Sequence, residues 1–221
     1  MLLKEWNELP ESMKTREVKV YYDILQKRKG SLVLKRLFDI VMSSVLIVFA
    51  SPVLLFVAAW IKLDSEGPVF YRQERVTQYG RKFRIFKFRT MVTNADKIGT
   101  LVTTNNDSRI TRVGEKIRKC RLDELPQLFN ILKGDISLVG PRPVTQRELE
   151  DNYTIPQRKA LLSIRPGLTG YWQVVARSDS SYENGDRQKL ELEYLTIRGF
   201  WYDIGLLFRT IPVVLKRKGA K

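Results

Sequence analysis

Histidine is absent from this chain of 221 residues, and cysteine occurs once, at Cys120. The lack of histidine excludes Ser-His-Asp and Cys-His catalysis, histidine general bases and histidine metal ligands. A single cysteine excludes an intramolecular disulfide and a cysteine-cluster zinc site. The sequence contains neither G-x-x-x-x-G-K-[ST] nor G-x-G-x-x-G, so nucleotide binding through a P-loop or a Rossmann glycine loop is excluded as well.

Positive charge is in large excess: 39 Lys and Arg stand against 24 Asp and Glu, for a formal net charge of +15. Such a charge indicates an acidic partner, which could be nucleic acid, an anionic membrane surface or a phosphorylated small molecule. The hydrophobic fraction of 43% is ordinary for a folded chain. A mean hydropathy of −0.25 excludes a polytopic membrane protein but is compatible with one membrane-embedded segment.

One apolar run meets the length requirement for a membrane helix. From Ile40 through Ile61 there are 22 residues without a charge. A straight helix of that length would measure about 33 Å, close to the thickness of a bilayer hydrocarbon core. However, Pro52 follows Ser51 near the middle, where a proline removes a backbone hydrogen bond and bends or breaks a helix. The hydroxyl of Ser51 can satisfy a carbonyl that the proline leaves free.

Basic residues flank this run on both sides, and Lys/Arg-rich flanks favour the cytoplasm. A re-entrant helical hairpin that turns at Ser51-Pro52 places both flanks on the same side of the membrane, and we expect that arrangement. A kinked spanning helix and a buried helix of a soluble protein are the alternatives. The upstream cations are Lys27, Arg28, Lys29, Lys35 and Arg36, and the downstream ones are Lys62, Arg72, Arg75, Arg81, Lys82 and Arg84.

The pattern predicts an α+β, mostly helical fold in three parts: a basic N-terminal extension over 1–34, the re-entrant membrane helix over 35–63, and a mixed region over 64–221. The β-branched and aromatic stretches around Tyr79-Gly80 predict a short β-hairpin. Helical patterns cover 110–118, 124–133, 144–163 and 184–196, and RPGLTG is typical of a turn-rich loop. The tail from Gly199 to Lys216 predicts an amphipathic surface helix with aromatics at membrane-interface depth, or else a plain core-packing helix.

Two adjacent acids, Asp123 and Glu124, precede the helix predicted over 124–133. Asp123 suits its N-cap and Gly134 its end. Most acids at such positions are only caps, but arginines lie close by in sequence at 118, 121 and 142. Together with the partial positive charge of a helix N-terminus they suit a phosphate group, and a divalent cation would let a carboxylate share that space.

A carboxylate nucleophile also suits a chain without histidine. With an unperturbed pKa near 3.9, an aspartate is ionised at pH 7 without a general base. A thiolate nucleophile at Cys120 is an alternative, although a small packing residue is the ordinary interpretation of a single cysteine.

Several sequence words resemble the bacterial monotopic phosphoglycosyl transferases, the bacterial sugar transferase family. They are KRLFDI at 35–40, SP at 51–52, GPVFYRQERV at 67–76, KFRTM at 87–91, SRITRVGEKIRK at 108–119, LDELPQLFNILKGDISLVGPRP at 122–143 and RPGLTGYWQV at 165–174. The resemblance spans about residues 35 to 215, and the run from Leu122 to Pro143 is long and specific. This chain is similar to the short form, without the multi-helix membrane domain of the long members.

The resemblance implies transfer of a sugar-1-phosphate from a UDP-sugar to polyprenyl (undecaprenyl) phosphate, with release of UMP. Asp123 would be the nucleophile of a ping-pong mechanism and would bind Mg²⁺, and Glu124 would assist it. Region 64–221 would be a cytoplasmic catalytic domain, and the protein would be monotopic on the cytoplasmic face of the bacterial inner (plasma) membrane. The implied substrate-binding residues are Lys87, Arg89, Arg118, Pro141, Arg142, Pro143, Gln173 and Arg177.

The resemblance also implies the lipid bilayer as a partner, a possible homodimer and no nucleic acid. Two features depart from the family pattern. Ala176 precedes Arg177 where a glycine is commoner, and Glu191 and Glu193 surround Tyr194 where many members carry aspartate. The rival functions are a basic module that binds a membrane surface or nucleic acid without catalysis, and an inactive scaffold. The identity of the sugar is left open.

Overall fold

The computed structural model describes residues 3–95, 107–176, 182 and 184–215. We number the helices and strands in chain order within these ranges. The helices are α1 (Arg16–Lys27), α2 (Lys29–Asp64), α3 (Arg112–Lys119), α4 (Gln127–Lys133), α5 (Gln146–Asn152), α6 (Ile155–Leu161), α7 (Tyr171–Val175), α8 (Asp186–Ile197) and α9 (Phe200–Leu215). The strands are β1 (Phe70–Val76), β2 (Lys82–Phe88), β3 (Ser137–Val139) and β4 (Gly167–Thr169). The predicted mostly helical α+β class is confirmed.

The predicted β-hairpin is confirmed. Strands β1 and β2 pair antiparallel from Phe70 opposite Phe88 to Val76 opposite Lys82. A single 3₁₀ turn, Gln78–Gly80, joins them, and both Tyr79 and Gly80 have positive φ there. Alternation along β1 places residues 71, 73 and 75 on one face of the hairpin.

The segment RPGLTG is not simply the turn-rich loop that its composition suggested. Its residues Gly167–Thr169 form β4, which pairs parallel with β3. The two backbones come so close that a Cβ on Gly167 would lie 2.0 Å from the amide nitrogen of Gly140. Only glycine allows this approach, and the frequent glycines that suggested a turn serve the pairing of two strands instead.

The chain around the two acids also differs from the expected helix start. Residues Leu122–Glu124 form a 3₁₀ turn, α4 begins only at Gln127, and Pro126 holds its N-cap position. Asp123 is therefore not the N-cap. The cause lies in Arg121, whose left-handed backbone (φ 56°) redirects the chain between α3 and this turn. The predicted end of the helix is confirmed, because Gly134 adopts the left-handed conformation (φ 80°) that closes many helices.

The other helical expectations are confirmed with small changes. The helix predicted over 110–118 runs from Arg112 to Lys119, and the one predicted over 184–196 runs from Asp186 to Ile197. The region 144–163 contains two helices, α5 and α6, because Thr154 caps a new helix that has a proline in its first turn. The tail forms α9, with Leu206 buried and Trp201 and Phe208 exposed on the opposite side.

The N-terminal residues pack on the body of the protein. Leu3, Leu9, Met13, Val18 and Leu25 all belong to the main buried cluster, together with residues of β2, α4, β3 and α8. The division of the chain at residues 34 and 64 stays a prediction.

Helix α2 is the one element within the described ranges that is long and apolar enough to cross a membrane. Apolar side chains in the middle of this helix are largely exposed: Val48, Phe49 and Leu55 are 69%, 79% and 72% exposed. The residue range of the helix includes Pro52, and the hydroxyl of Ser51 donates to the carbonyl of Val48 at 2.8 Å. That carbonyl is the one whose usual N–H donor Pro52 lacks, so the hydrogen bond expected of Ser51 is present, whereas the re-entrant turn at Ser51-Pro52 stays a prediction.

Candidate active site

The first of the two acids, Asp123, lies at the side of a cavity of about 290 Å³. One wall is the hairpin face that carries Tyr71, Gln73 and Lys87, and the end of α3 contributes Arg118. Asp123 lines this cavity, and Cys120 does not belong to its lining. The chain between α3 and α4 places Asp123 there because the turn at Arg121 directs the 3₁₀ segment back toward β2.

Glu124 is paired with two cations. The Nζ atom of Lys87 lies 3.0 Å from its Oε1 atom, and the Nη2 atom of Arg142 lies 3.9 Å from the same oxygen. Burial disfavours the charged form of this carboxyl, but the charges of Lys87 and Arg142 outweigh it and hold the pKa of Glu124 well below its usual range. Glu124 is therefore a fixed negative charge that orients Lys87 and Arg142.

Asp123 has the opposite balance. Burial, and after it the negative charge of Glu124, raises the pKa of Asp123 to about 6, although the cations Lys87 and Arg118 act to lower it. The expectation of an unperturbed aspartate is thus wrong, since the sequence does not reveal how deeply the carboxyl is buried. With a pKa of about 6 it is still mainly ionised at pH 7, as a nucleophile must be.

Several cations surround the pair, as expected for a site that receives phosphate. Arg118 lines the cavity with Asp123, and Lys87 and Arg142 contact Glu124. Burial lowers the pKa of Arg121, while the charges of the two acids counteract this shift. An arginine stays protonated at neutral pH. The structure thus brings together five of the residues predicted from sequence: Lys87, Arg118, Asp123, Glu124 and Arg142.

The loop Pro141–Pro143 is held by backbone contacts that place Arg142 beside Glu124. The amide of Gly140 donates to the carbonyl of Thr169 at 2.9 Å, and that of Gly167 donates to the carbonyl of Pro141 at 2.8 Å. The β3–β4 pair therefore fixes the start of the loop. Prolines on both sides of Arg142 restrict the remaining backbone freedom.

Arg75 is a residue of this site that sequence reasoning did not single out. Its Nη1 atom donates to the carbonyl of Pro143 at 3.2 Å and to Glu148 at 2.5 Å, and its Nη2 atom donates to Gln73 at 2.6 Å. Glu148 also accepts the amide N–H of Thr145 at 2.9 Å. Arg75 thus ties β1 to the far end of the Pro141–Pro143 loop. The available signals were the i, i+2 alternation in β1 and the Thr145-x-x-Glu148 capping box.

Arg89 lines the same cavity, but its guanidinium donates hydrogen bonds to backbone carbonyls after α2. It is 5% exposed and donates to the carbonyls of Ser65 and Glu66, at 2.6 and 2.7 Å. These bonds join the end of β2 to the residues that follow α2. A direct contact of Arg89 with substrate stays a prediction.

Gln173 is not part of the large cavity. It is buried on α7 and lines a small cleft with Pro141, Arg142 and Glu191. This places it next to the loop that carries Arg142. Arg177 lies outside the described residues.

The acids of the site suit Mg²⁺ bound with a substrate. In the part of the chain that the structure describes, no group of three or more His, Cys, Asp or Glu side chains is placed to hold a metal ion. Mg²⁺ characteristically keeps several waters and binds through one or two carboxylates together with substrate phosphates. Asp123, on the wall of a cation-lined cavity, fits such a role, and a closed all-protein metal site is not what these residues form.

The chain is similar to several bacterial sugar-phosphate transferases. It is 42% identical over 209 residues to the undecaprenyl-phosphate galactose phosphotransferase of Salmonella typhimurium strain LT2, an alignment that covers 87% of this chain and 43% of that protein. It is 42% identical over 192 residues to the UDP-N-acetylgalactosamine-undecaprenyl-phosphate N-acetylgalactosaminephosphotransferase of Aeromonas hydrophila, covering 85% of this chain and 45% of that one. The chain thus spans less than half the length of these two relatives.

A relative of similar length is the exopolysaccharide production protein ExoY of Rhizobium meliloti strain 1021. The identity is 37% over 203 residues, which cover 84% of this chain and 87% of ExoY. The family model described as bacterial sugar transferase matches residues 30–217. That range contains all of α2 except its first residue, the hairpin, both acids and the loop of Arg142. The chain therefore belongs to the bacterial sugar transferase family.

Proposed function

We propose that this protein transfers a sugar-1-phosphate from a UDP-sugar to polyprenyl (undecaprenyl) phosphate and so initiates assembly of an exopolysaccharide, a capsule or another surface glycan. The observation that carries the proposal is the position of Asp123, an ionisable carboxylate on the wall of a cavity lined by cations. The names of the two phosphotransferase relatives support the substrate classes.

The first step is a displacement at phosphorus. A carboxylate oxygen of Asp123 bonds to the β-phosphorus of the UDP-sugar, and the bond from that phosphorus to the oxygen bridging the two phosphates breaks. UMP leaves with the bridging oxygen and its electron pair, so the step needs no proton from the protein. Lys87 and Arg118 lie where they can balance the charge that develops on the transferred and leaving phosphates.

The second step restores the enzyme. A phosphate oxygen of the polyprenyl phosphate bonds to the same phosphorus, the bond from phosphorus to the Asp123 oxygen breaks, and the carboxylate is regenerated. The product is a polyprenyl diphosphosugar. Mg²⁺ held by Asp123 with the diphosphate would neutralise phosphate charge. Glu124 stays ionised throughout and keeps Lys87 and Arg142 in place.

We propose a re-entrant, monotopic membrane attachment on the cytoplasmic face. A polyprenyl acceptor stays in the bilayer, so Asp123 has to lie at headgroup depth. The N-terminal half of α2 is anchored to the body of the protein, because Asp39 accepts from Ser137 Oγ at 2.7 Å and from the amide of Leu138 at 3.1 Å. The C-terminal half is anchored as well, through Val57 and Ile61 in a buried cluster.

A series of contacts through neighbouring elements joins the two halves of α2. Arg36 donates to the carbonyl of Ile131 in α4 at 2.6 Å, and Asn130 of the same helix accepts from the amide of Phe86 in β2 at 2.8 Å. Phe88, two residues further along β2, belongs to the same buried cluster as Ile61. Anchoring of both halves on one body, with an exposed apolar middle, favours a bend at Pro52 over a straight spanning helix. A homodimer stays an expectation from the resemblance.

The decisive experiment measures UMP release by the purified protein in nanodiscs, with polyprenyl phosphate and a panel of UDP-sugars. We expect Mg²⁺-dependent release with one donor or a few, which also identifies the sugar. Asp123→Asn should abolish it, whereas Asp151→Asn, an exposed acid of α5, should leave it unchanged. Intact-mass measurement after incubation with donor alone should show the mass of a phosphosugar on the wild type.

Two outcomes would contradict the proposal. Full turnover by Asp123→Asn would show that Asp123 is not the nucleophile. Salt-sensitive binding to nucleic acid, without turnover on any donor, would favour the non-catalytic basic module.

A further inference from the structure

Helix α3 lies beside the C-terminal end of α2, with its apolar side turned inward. Val113 and Ile117 are buried in one cluster with Val57 and Ile61 of α2. The opposite side of α3 is exposed to solvent and carries Arg112, Lys116 and Lys119. Lys62 of α2, two residues after Trp60, is also exposed, and we call these four cations the basic face.

The proposed membrane attachment places the basic face at the depth of a membrane interface. Trp60 and Lys62 mark the end of the uncharged run in α2, and tryptophan and lysine are typical of the boundary between hydrocarbon and headgroups. The Nζ atom of Lys116 lies 5.3 Å from the centroid of the Trp60 ring, a cation–π contact between α3 and α2. If Trp60 is at the interface, the ammonium of Lys116 is at headgroup level.

The positive charge of this surface is only partly neutralised by the protein. Glu115 pairs with Lys119 at 2.5 Å, and Asp64 accepts the amide N–H of Val113 at 3.2 Å. Among the described residues, no acid lies within ion-pair distance of Lys62, Arg112 or Lys116. A surface of this kind, next to an apolar helix, attracts anionic lipid headgroups.

We propose that the basic face binds the headgroups of anionic phospholipids and thereby fixes the height of the catalytic acids relative to the bilayer. This inference rests on the proposed membrane attachment and transfer reaction. The basic face is linked to the catalytic site through few contacts. Leu122 packs on the same buried cluster as Val113 and Ile117, and Asp123 is the next residue. Headgroup binding that holds α3 in place therefore also holds Asp123 in place.

The location of the basic face favours bulk phospholipid over the polyprenyl phosphate acceptor. Arg118, on the inner side of α3, lines the cavity that contains Asp123. None of the four residues of the basic face lines that cavity. The acceptor phosphate must reach the cavity to react, whereas a lipid on the basic face remains outside it.

A binding measurement tests the inference without activity. In bilayers that mix phosphatidylglycerol with phosphatidylcholine, one lipid at a time is supplied in brominated form, which quenches nearby tryptophan. The signal of Trp60 is the difference between wild type and Trp60→Phe. We expect stronger quenching by brominated phosphatidylglycerol than by brominated phosphatidylcholine, and loss of that difference in the double variant Arg112→Gln, Lys116→Gln. Equal quenching by both lipids in the wild type would overturn the inference.

An activity measurement tests its consequence. UMP release should be several-fold faster in bilayers with phosphatidylglycerol than in pure phosphatidylcholine, and the double variant should lose this acceleration. Arg147→Gln, an exposed cation of α5, should retain it and is the matched control. If the double variant instead raises the KM for polyprenyl phosphate in pure phosphatidylcholine, the basic face serves the acceptor and the inference is wrong. Absence of transfer in every bilayer, with lipid-selective quenching intact, would count against the proposed function alone.

Discussion

The Nζ atom of Lys87 in β2 lies 3.0 Å from the Oε1 atom of Glu124, and this contact gives two adjacent carboxyls different tasks. Glu124 holds its negative charge against Lys87, so the pKa of Glu124 is lowered. The buried Asp123 next to it has a raised pKa, partly because of that charge. One acid is a permanent countercharge, and its neighbour is an ionised carboxylate with few competing contacts to the cations.

The first prediction concerns pH. Because Asp123 reacts only when deprotonated and its pKa is about 6, the rate of UMP release with donor alone should fall as the pH drops through about 6 and be level above pH 7. Lys87 lowers the pKa of Asp123, so Lys87→Gln should move the inflection to higher pH. Lys82→Gln, which removes an exposed cation of the same strand, should not move it. An inflection that stays in place in Lys87→Gln would contradict the assignment.

The second prediction concerns stability. The pKa of Asp123 is higher in the folded state than in the unfolded state, so its ionisation costs folding free energy at pH values above about 6. Asp123→Asn should therefore raise the melting temperature at pH 7.5, at roughly 2–4 °C per kcal/mol gained. The gain should shrink at pH 4.5, where the wild-type carboxyl is mainly protonated. A lower melting temperature at pH 7.5 would show that the carboxylate stabilises the fold.

The third prediction is that Glu124→Gln impairs both folding and activity. The substitution leaves Lys87 and Arg142 without their carboxylate, and an unpaired buried charge costs more than the lost contact alone. We expect a lower melting temperature than that of the wild type at pH 7.5, together with a large loss of kcat. Glu115→Gln, an exposed acid of α3, is the control. A melting temperature equal to that of the wild type would mean that the three side chains are not coupled.

The fourth prediction concerns Arg75, a positioning residue. Arg75→Lys cannot donate to both Pro143 and Glu148 in the way a guanidinium does, so the loop of Arg142 should lose its fixed position. We expect a higher KM for the UDP-sugar with a smaller change in kcat. Arg72→Lys, on the exposed face of the same strand, should leave both constants unchanged. A fall in kcat with the KM unaltered would argue against a role in holding the loop.

The fifth prediction concerns the helix bend. Pro52→Ala supplies the missing N–H to the carbonyl of Val48, so α2 should straighten and span the bilayer. In a Cys120→Ser, Lys14→Cys variant, the thiol at position 14 should not react with a membrane-impermeant reagent in intact cells. Adding Pro52→Ala should make this thiol reactive from outside the cell. Val53→Ala keeps the proline and is the control. Labelling of the parent protein from outside the cell would reject the re-entrant path.

Much of the local structure could be predicted because its causes are local. Alternating β-branched and aromatic residues around a turn predict the hairpin, and Gly134 predicts a helix end, since each depends on backbone preferences of neighbouring residues. Uncharged length alone predicts α2 as a membrane candidate. The acids and arginines of the site were identified from the sequence motifs of the family.

The sequence alone thus determined α2, the β-hairpin and most of the helices, the absence of histidine chemistry and the positions of Asp123 and Glu124 in the chain. Only the tertiary structure decided that Lys87 pairs with Glu124 across 37 residues, that Arg75 reaches Pro143, and that Asp123 lies in a 3₁₀ turn after a left-handed Arg121. The physical reason is that charge pairing and pKa values depend on burial and on distances of a few ångströms. Those distances arise from packing between elements that are far apart along the chain.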